Sequence, residues 1–277
     1  MKKHLTLMLA LALILSLTAC GGNPGGGGAA PANTPSGGGS PASPNAAQGS
    51  TAAPEAAQGT RIDKTKDITA DFTDPAFLTC VREKVGKNNG EPILVSDVMD
   101  ITKLLASSNE ISNLAGIEWF VSLKELDCAY NQLTELDVSK NAALTILSCA
   151  GNKLTELNVS NNVALEQLYC DSNELTKLDV GKNIALRILN CNENELKELD
   201  ISSNVAMETL RFSKNKLTGL DVSHNAALKE LSCYKNELTK LDISKNTALA
   251  KLTCWGNPLT KQDIAGLDEA RTQVEID

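Results

Sequence analysis

Between Leu123 and Asn257 one phrase recurs every 21 residues. Its first copy reads LKELDCAYNQLTELDVSKNAA, and later copies begin at Leu144, Leu165, Leu186, Met207, Leu228 and Leu249. Cysteine holds the sixth place as Cys128, Cys149, Cys170, Cys191, Cys233 and Cys254, broken only by Phe212. Asparagine holds the ninth place from Asn131 to Asn257 without a break. A fixed period of this length points to a solenoid: one unit has too little apolar surface to fold alone and buries what it has by stacking on its neighbours.

Within a unit Leu126 and Cys128 alternate with Asp127, the period of two that marks a strand with one buried face. Copies then stack in parallel at about 4.8 Å per repeat, with the Leu, Cys and Asn columns inward. The asparagine side chains are expected to bond the turn backbone of neighbouring repeats, because a buried amide left unpaired is costly. One strand and two turns leave too few residues for a helix of ordinary length. The return half, with Leu136 and Val138 inward, is therefore expected to be extended or a short 3₁₀ turn.

The phrase L-x-x-L-x-C-x-x-N-x-L, seven times in succession, resembles the leucine-rich repeat, with cysteine where that family usually carries leucine. The second half, L-x-x-L-D-V-S-x-N as in Leu133 to Asn141, echoes the first, and the nesting is similar to the bacterial repeat class called IRREKO. The resemblance implies an α/β-class leucine-rich repeat solenoid, mostly β in content, with an arc-shaped parallel sheet. It also implies a binding role, and no reaction.

The N-terminal region reads as an export address followed by a spacer. Residues 1–19 have the form of a signal peptide, with Lys2 and Lys3 ahead of an apolar run, Leu5 to Leu17, too short to span a bilayer comfortably. Leu17-Thr18-Ala19-Cys20 resembles a lipobox, which implies cleavage before Cys20, a lipidated sulfur and a membrane-anchored lipoprotein displayed outside the cytoplasm, at the cell surface. Residues 20–60 are rich in Gly, Ala, Pro and Ser, carry Glu55 as their only charge and lack aromatic and branched aliphatic side chains. They read as a disordered tether with an r.m.s. span of about 35 Å.

The array needs covers at its two apolar ends. Residues 61–100 are expected to supply an N-terminal cap, with a helix started by Asp74-Pro75, carrying Phe77, Val81 and Val85 on one face and ended by Gly86 or Gly90. Residues 101–258 form the repeats, opening with an atypical unit that places Leu104, Asn109, Ile111, Leu114 and Ile117 in the expected columns. Its Gly116-Ile117-Glu118 resembles the capping region of internalin-like surface proteins. Residues 259–277 read as a C-terminal cap, with Thr260-Lys-Gln-Asp263 starting a short helix to about Ala270 and a last strand in Thr272 to Asp277, Val274 and Ile276 inward.

Charge and cysteine chemistry narrow the function. The net charge of −8 becomes −10 once a signal with two lysines and no acid is removed, which argues against nucleic acid. Parallel neighbours in the cysteine column hold their Cβ atoms about 4.8 Å apart, wider than the ~3.8 Å a disulfide wants. The column therefore reads as reduced core thiols. No pair of cysteines has the close spacing of a zinc knuckle, so neither a metal nor another cofactor is expected. The one histidine after the signal, His224, stands where other copies have Lys140, Lys182 and Lys245, as a solvated turn residue. No nucleotide, metalloprotease or nucleophile motif occurs, and the chain reads as no enzyme. The D-x-S-x-N runs at Asp137, Asp200, Asp221 and Asp242 lack the glycine and distal glutamate of a calcium loop and read as turns closed by side-chain oxygens.

The remaining reading is a recognition module that binds a protein or glycan across the concave face of its sheet. The alternative is a structural or adhesive envelope lipoprotein. The outward columns are the third, fifth and seventh places, with the eighth at the rim. They hold Asp127, Tyr130, Tyr169, Asp171, Asn190, Arg211, Tyr234, Lys235 and Trp255 as candidate contacts. Aromatics make up only 3% of the chain, yet all three tyrosines and one of the two tryptophans fall in these columns. Tyr, Trp and Arg are the side chains that dominate binding hot spots.

Overall fold

A computed structural model describes residues 62–277; the signal-like segment, Cys20 and the tether lie outside them. Each repeat gives one three-residue strand whose middle leucine is fully buried. The strands are β1 (Lys103–Leu105), β2 (Glu125–Asp127), β3 (Ile146–Ser148), β4 (Gln167–Tyr169), β5 (Ile188–Asn190), β6 (Thr209–Arg211), β7 (Glu230–Ser232), β9 (Lys251–Thr253) and β11 (Gln273–Glu275). They form one parallel sheet in that order, with Leu126 beside Leu147, Leu147 beside Leu168 and Leu168 beside Leu189. The period locks this register, since a slip of one residue would turn the leucines to water and the polar places inward. The ladder runs on past the strands: Cys128 N–H donates to Ser148 O at 2.8 Å and Tyr130 N–H to Ala150 O at 2.7 Å.

Leucines at the first, fourth and eleventh places, with Met207 at one first place, are buried and fill the interior together with the six fully buried column cysteines. Phe212 takes the missing cysteine's place and is also fully buried. The return halves carry Val138 and its equivalents inward and consist of turns, not of helix or continuous strand. Among the described residues only β8 (Leu241–Asp242) and β10 (Ile264–Ala265) pair there, as a small second sheet.

Two asparagine ladders clamp successive repeats. In the first, Asn152 Nδ2 donates to Cys128 O and Cys149 O, both at 3.0 Å, while its Oδ1 accepts the Leu133 N–H at 3.0 Å. The expected amide column is thus in place and bridges neighbours. The second ladder, Asn141 to Asn246, is fully buried at the turn closing each unit. Asn204 Nδ2, for example, donates to Val180 O at 3.1 Å and Asn183 O at 2.8 Å. The Oδ1 atoms of these six meet no donor among the described residues. Asn109 departs from its expected inward place: it is exposed, its Nδ2 turned to Ser107 O, because no asparagine clamp of an earlier repeat precedes it.

Ahead of the array α1 (Pro75–Val85) starts at Asp74, whose Oδ1 accepts the Ala76 and Phe77 N–H groups, and ends at Gly86 in the left-handed region. Asp74 Oδ2 reaches across to accept Ser112 N–H at 2.8 Å and Ser112 Oγ–H at 2.6 Å. Phe72 packs edge-on between Phe77 and Phe120, at 5.7 and 6.4 Å between centroids. Gly116 is required there, since a Cβ would lie 2.5 Å from the Phe72 ring. A short helix, α2 (Val95–Val98), buries Val95 and Val98 in the same cluster.

The C-terminal region corrects one expectation. No helix runs to Ala270: a single 3₁₀ turn, Lys261–Asp263, leads into β10, so Leu259 and Ile264 continue the return half of the last repeat. The Thr260 N–H and Oγ–H do cap the turn on Asp263 Oδ2, both at 2.8 Å. Gly266 then breaks it, with φ +77 and its α-carbon so close to the Ser244 backbone that a Cβ would come within 2.4 Å. The expected last strand is β11, with Val274 and Ile276 partly buried; it forms the outer edge of the sheet rather than hiding it.

Candidate functional site

The candidate surface is the solvent face of the parallel sheet, because each strand turns its first and third residues outward on either side of a buried leucine. Asp127, Tyr169, Asn190 and Arg211 stand in the fifth column, all half-buried by their neighbours. Asp171, Tyr234 and Trp255 stand in the seventh, where the chain leaves the strand. Tyr130 and Lys235 stand in the rim column and are exposed, Tyr130 at 65%.

The rim column turns through the left-handed region in copy after copy, with φ of 55° at Tyr130, 55° at Glu193 and 53° at Lys235. Glycine takes this place at Gly151 and Gly256, and each seats a side chain from the repeat before. A Cβ on Gly151 would lie 2.5 Å from the Tyr130 ring, and one on Gly256 would lie 3.0 Å from Lys235 Cγ. The positive φ and the close approach both ask for glycine.

Polar contacts tie the centre of the face together. Asn190 Nδ2 donates to Asp171 Oδ1 at 2.8 Å, Tyr169 Oη–H to Gln167 Oε1 at 3.0 Å, and the Arg211 guanidinium to both Glu230 oxygens at 3.2 and 3.1 Å. Burial pushes the Asp171 carboxyl above its usual value, and Glu193 reinforces the shift. Burial also raises the Tyr169 hydroxyl, opposed by Arg211. At the C-terminal end Tyr234 and Trp255 stack face to face, 4.7 Å apart and 10° from parallel, and Lys235 Nζ lies 5.1 Å from the Trp255 ring centroid. The nine candidates therefore form two groups. Tyr169, Asp171, Asn190 and Arg211 lie together in the middle, and Tyr234, Lys235 and Trp255 lie together at the end. Tyr130 and Asp127 stand apart near the first repeats.

The six column cysteines are free and buried under this face. Burial pushes the thiols of Cys149 and Cys191 up to about 12 and that of Cys254 to about 11, so thiolate, the reactive form, is scarce at neutral pH. His224 is exposed, 3.2 Å from the Ser223 hydroxyl, in a turn on the far side from the cysteines. The aspartates of the D-x-S-x-N runs close turns: Asp137 Oδ1 accepts Ser139 N–H at 2.8 Å and Asp242 Oδ1 accepts Ser244 N–H at 2.9 Å. Among the described residues no three His, Cys, Asp or Glu side chains are grouped to hold a metal, and no helix is long and apolar enough to cross a membrane. One surface feature escaped the sequence reading. Val163, Ile184 and Val205 are 55 to 63% exposed and stack one per repeat beside the second asparagine ladder. Their spacing of 21 was visible, but nothing in the sequence marked that place as outward.

The parallel three-residue strands, the leucine interior and the asparagine clamps together define a leucine-rich repeat solenoid of the bacterial kind. Among solved structures it is similar to the functional domain of InlJ from Listeria monocytogenes, which is described as including a cysteine ladder, with 31% identity and a TM-score of 0.61 over 76% of this chain. The match spans 56% of the InlJ chain. It shares its fold with an internalin C2 from Listeria monocytogenes, at 19% identity and a TM-score of 0.66, over 78% of this chain and 99% of that one. No protein-family model and no curated protein matches the sequence.

Proposed function

We propose that this chain is a recognition module held at the cell surface by a lipid on Cys20, and that it binds a protein partner through the solvent face of its sheet. One observation carries the reading: in a chain with three tyrosines and two tryptophans, Tyr130, Tyr169, Tyr234 and Trp255 all stand on that face. The interior, already filled by leucine, cysteine and Phe212, gives no packing reason to put them there. Tyr and Trp offer large contact area for little conformational entropy, and Arg211 and Asn190 supply directional hydrogen bonds among them. The α1 segment serves as the cap of the first repeat, and the tether lifts the array from the bilayer.

Capture from extracts of neighbouring or host cells tests the binding. The full chain is expected to retain a partner that the Tyr169→Ala/Tyr234→Ala double variant holds at least about tenfold more weakly, the loss of about 1.4 kcal/mol that truncating two hot-spot rings produces or exceeds. Equal retention with both proteins folded would move the site off the sheet. The anchor has its own test: Cys20→Ser should abolish metabolic labelling with palmitate, and unchanged labelling would end the lipoprotein reading.

A further inference from the structure

The sheet face is unevenly charged along the solenoid axis. Over β2 to β5 its outward places, together with the second place where the chain enters each strand, carry mainly acids, Glu125, Asp127, Glu166, Asp171 and Glu193, against Lys124 and Arg187. Over β6 to β9 they carry mainly bases, Arg211, Lys214, Lys229, Lys235 and Lys251. The acids among these bases are Glu208 and Glu230, and ion pairs within the chain run through both halves, Glu208 with Arg187 and Lys229, Glu230 with Arg211, Glu193 with Lys214, Glu125 with Lys103 and Lys251 with Glu275, so the halves differ in net sign rather than in unpaired charge. The edge strands reverse the sign in step, with Lys103 on β1 and Glu275 on β11.

Side-chain size runs along the same axis. The seventh column begins with Ala129 and Ala150 over β2 and β3 and ends with Tyr234 and Trp255 over β7 and β9. In the seventh column the acidic end is low and the basic end is raised by aromatic rings, while the exposed Tyr130 stands at the rim of the acidic end, in the column that ends with Gly256. A surface whose two halves complement each other is what an isologous two-fold contact requires, because every residue meets the counterpart of its opposite number.

The strand order fixes where the axis falls. Nine strands place β5 at the centre, so a two-fold axis along it sets β2 against β9 and β3 against β7 of the other copy. In such a pair Glu125 would face Lys251, Trp255 would cover Ala129, Tyr234 would cover Ala150, and Arg211 would lie over the Tyr169 ring. At the axis Ile188 would meet its own copy, and the Asn190 amide, both donor and acceptor, could bond its twin. The face is about 38 Å long, from eight strand spacings, and about 20 Å wide, from six residues of extended chain. That is close to the ~800 Å² per partner that specific complexes bury.

We infer that the partner this face fits is a second copy of the same chain, docked sheet to sheet about a two-fold axis through β5, acidic half against basic half. The inference rests on the reading of the sheet face as the binding surface and names its occupant. The axis reverses the solenoid and places the two copies' Ile62 residues at opposite ends of the pair.

Sedimentation of the full chain with Cys20→Ser, which removes acylation as a cause of association, tests this. The chain is expected to dimerise at about 0.1 M salt and at least about tenfold more weakly at about 1 M, as the screening length falls from about 10 to about 3 Å. In that background, Glu125→Lys with Glu166→Lys makes the whole face basic, and Lys229→Glu with Lys251→Glu makes it acidic. Each double variant should lose self-association by at least tenfold, and an equimolar mixture should restore it. That restoration also shows that both variants remain folded. A chain that stays monomeric, or variants that self-associate as the parent does, would overturn the inference. A monomeric chain whose captured partner is still lost on Tyr169→Ala/Tyr234→Ala leaves the recognition reading intact and only the second copy wrong. Retention of that partner sinks the recognition reading itself.

Discussion

Each place in the 21-residue phrase has one dominant physical demand, and single substitutions separate those demands. Leu168 and Cys191 are fully buried, so Leu168→Asp or Cys191→Asp places an unpaired carboxylate in the core, at several kcal/mol, and should unfold the array. Lys140 is exposed, and Lys140→Ala should shift stability by about 0.5 kcal/mol or less. Urea titrations followed by circular dichroism check both, and equal stability of the core and surface variants would refute the register. The buried, scarcely ionised column thiols should resist alkylation in the native protein and react once it unfolds, as site-by-site mass spectrometry would show. Asn204→Ala should cost about 1–3 kcal/mol, because Val180 O and Asn183 O lose their clamp. The second ladder to which Asn204 belongs was legible only as a polar turn motif. An asparagine in D-x-S-x-N reads as surface until the stacking shows that its amide points into the interior.

At the level of elements, turns and caps make stability depend on pH. Hydrogen bonds from the serine two places on hold Asp137, Asp200, Asp221 and Asp242 below their usual 3.8. Burial pushes Asp74 up, but bonds from Ser112, Phe77 and Asn113 outweigh it and also leave it low. A depressed carboxyl stabilises the fold above its unfolded value, and that contribution disappears as pH falls through the folded one. Thermal stability should therefore drop below about pH 4, and a midpoint unchanged between pH 5 and pH 3 would contradict these turns. Asp171 has the opposite sign. Its raised value penalises the ionised form, so Asp171→Asn should be as stable as the parent or more stable at neutral pH, with the difference shrinking on acidification. The strands and their order were readable because period two sits inside period 21, which leaves one register. The C-terminal segment was misread because Thr260 and Asp263 make a true capping pair; only the stacking of Gly266 on Ser244 shows that the chain follows the repeat.

For the whole molecule, repetition made the interior legible and left the outer face open. Columns that recur in every copy, the leucines, cysteines and asparagines, are those that stacking demands, and the structure buries them. Columns that vary, such as the seventh from Ala129 to Trp255, are free of that demand and can carry recognition. The sequence could place Tyr169, Asp171, Asn190 and Arg211 on one face. It could not show that Asp171 and Asn190 bond each other or that Tyr234 stacks on Trp255, because those contacts depend on rotamers set by neighbours. The central claim is that function lies on this variable face and not on the turns of the return half. The most direct measurement is the dissociation constant of the captured partner for the parent chain, for Tyr169→Ala/Tyr234→Ala and for the return-side variant Lys182→Ala/Lys245→Ala, with folding checked by circular dichroism. The sheet-face variant should bind at least about tenfold more weakly while the return-side variant matches the parent; the reverse order would contradict the account.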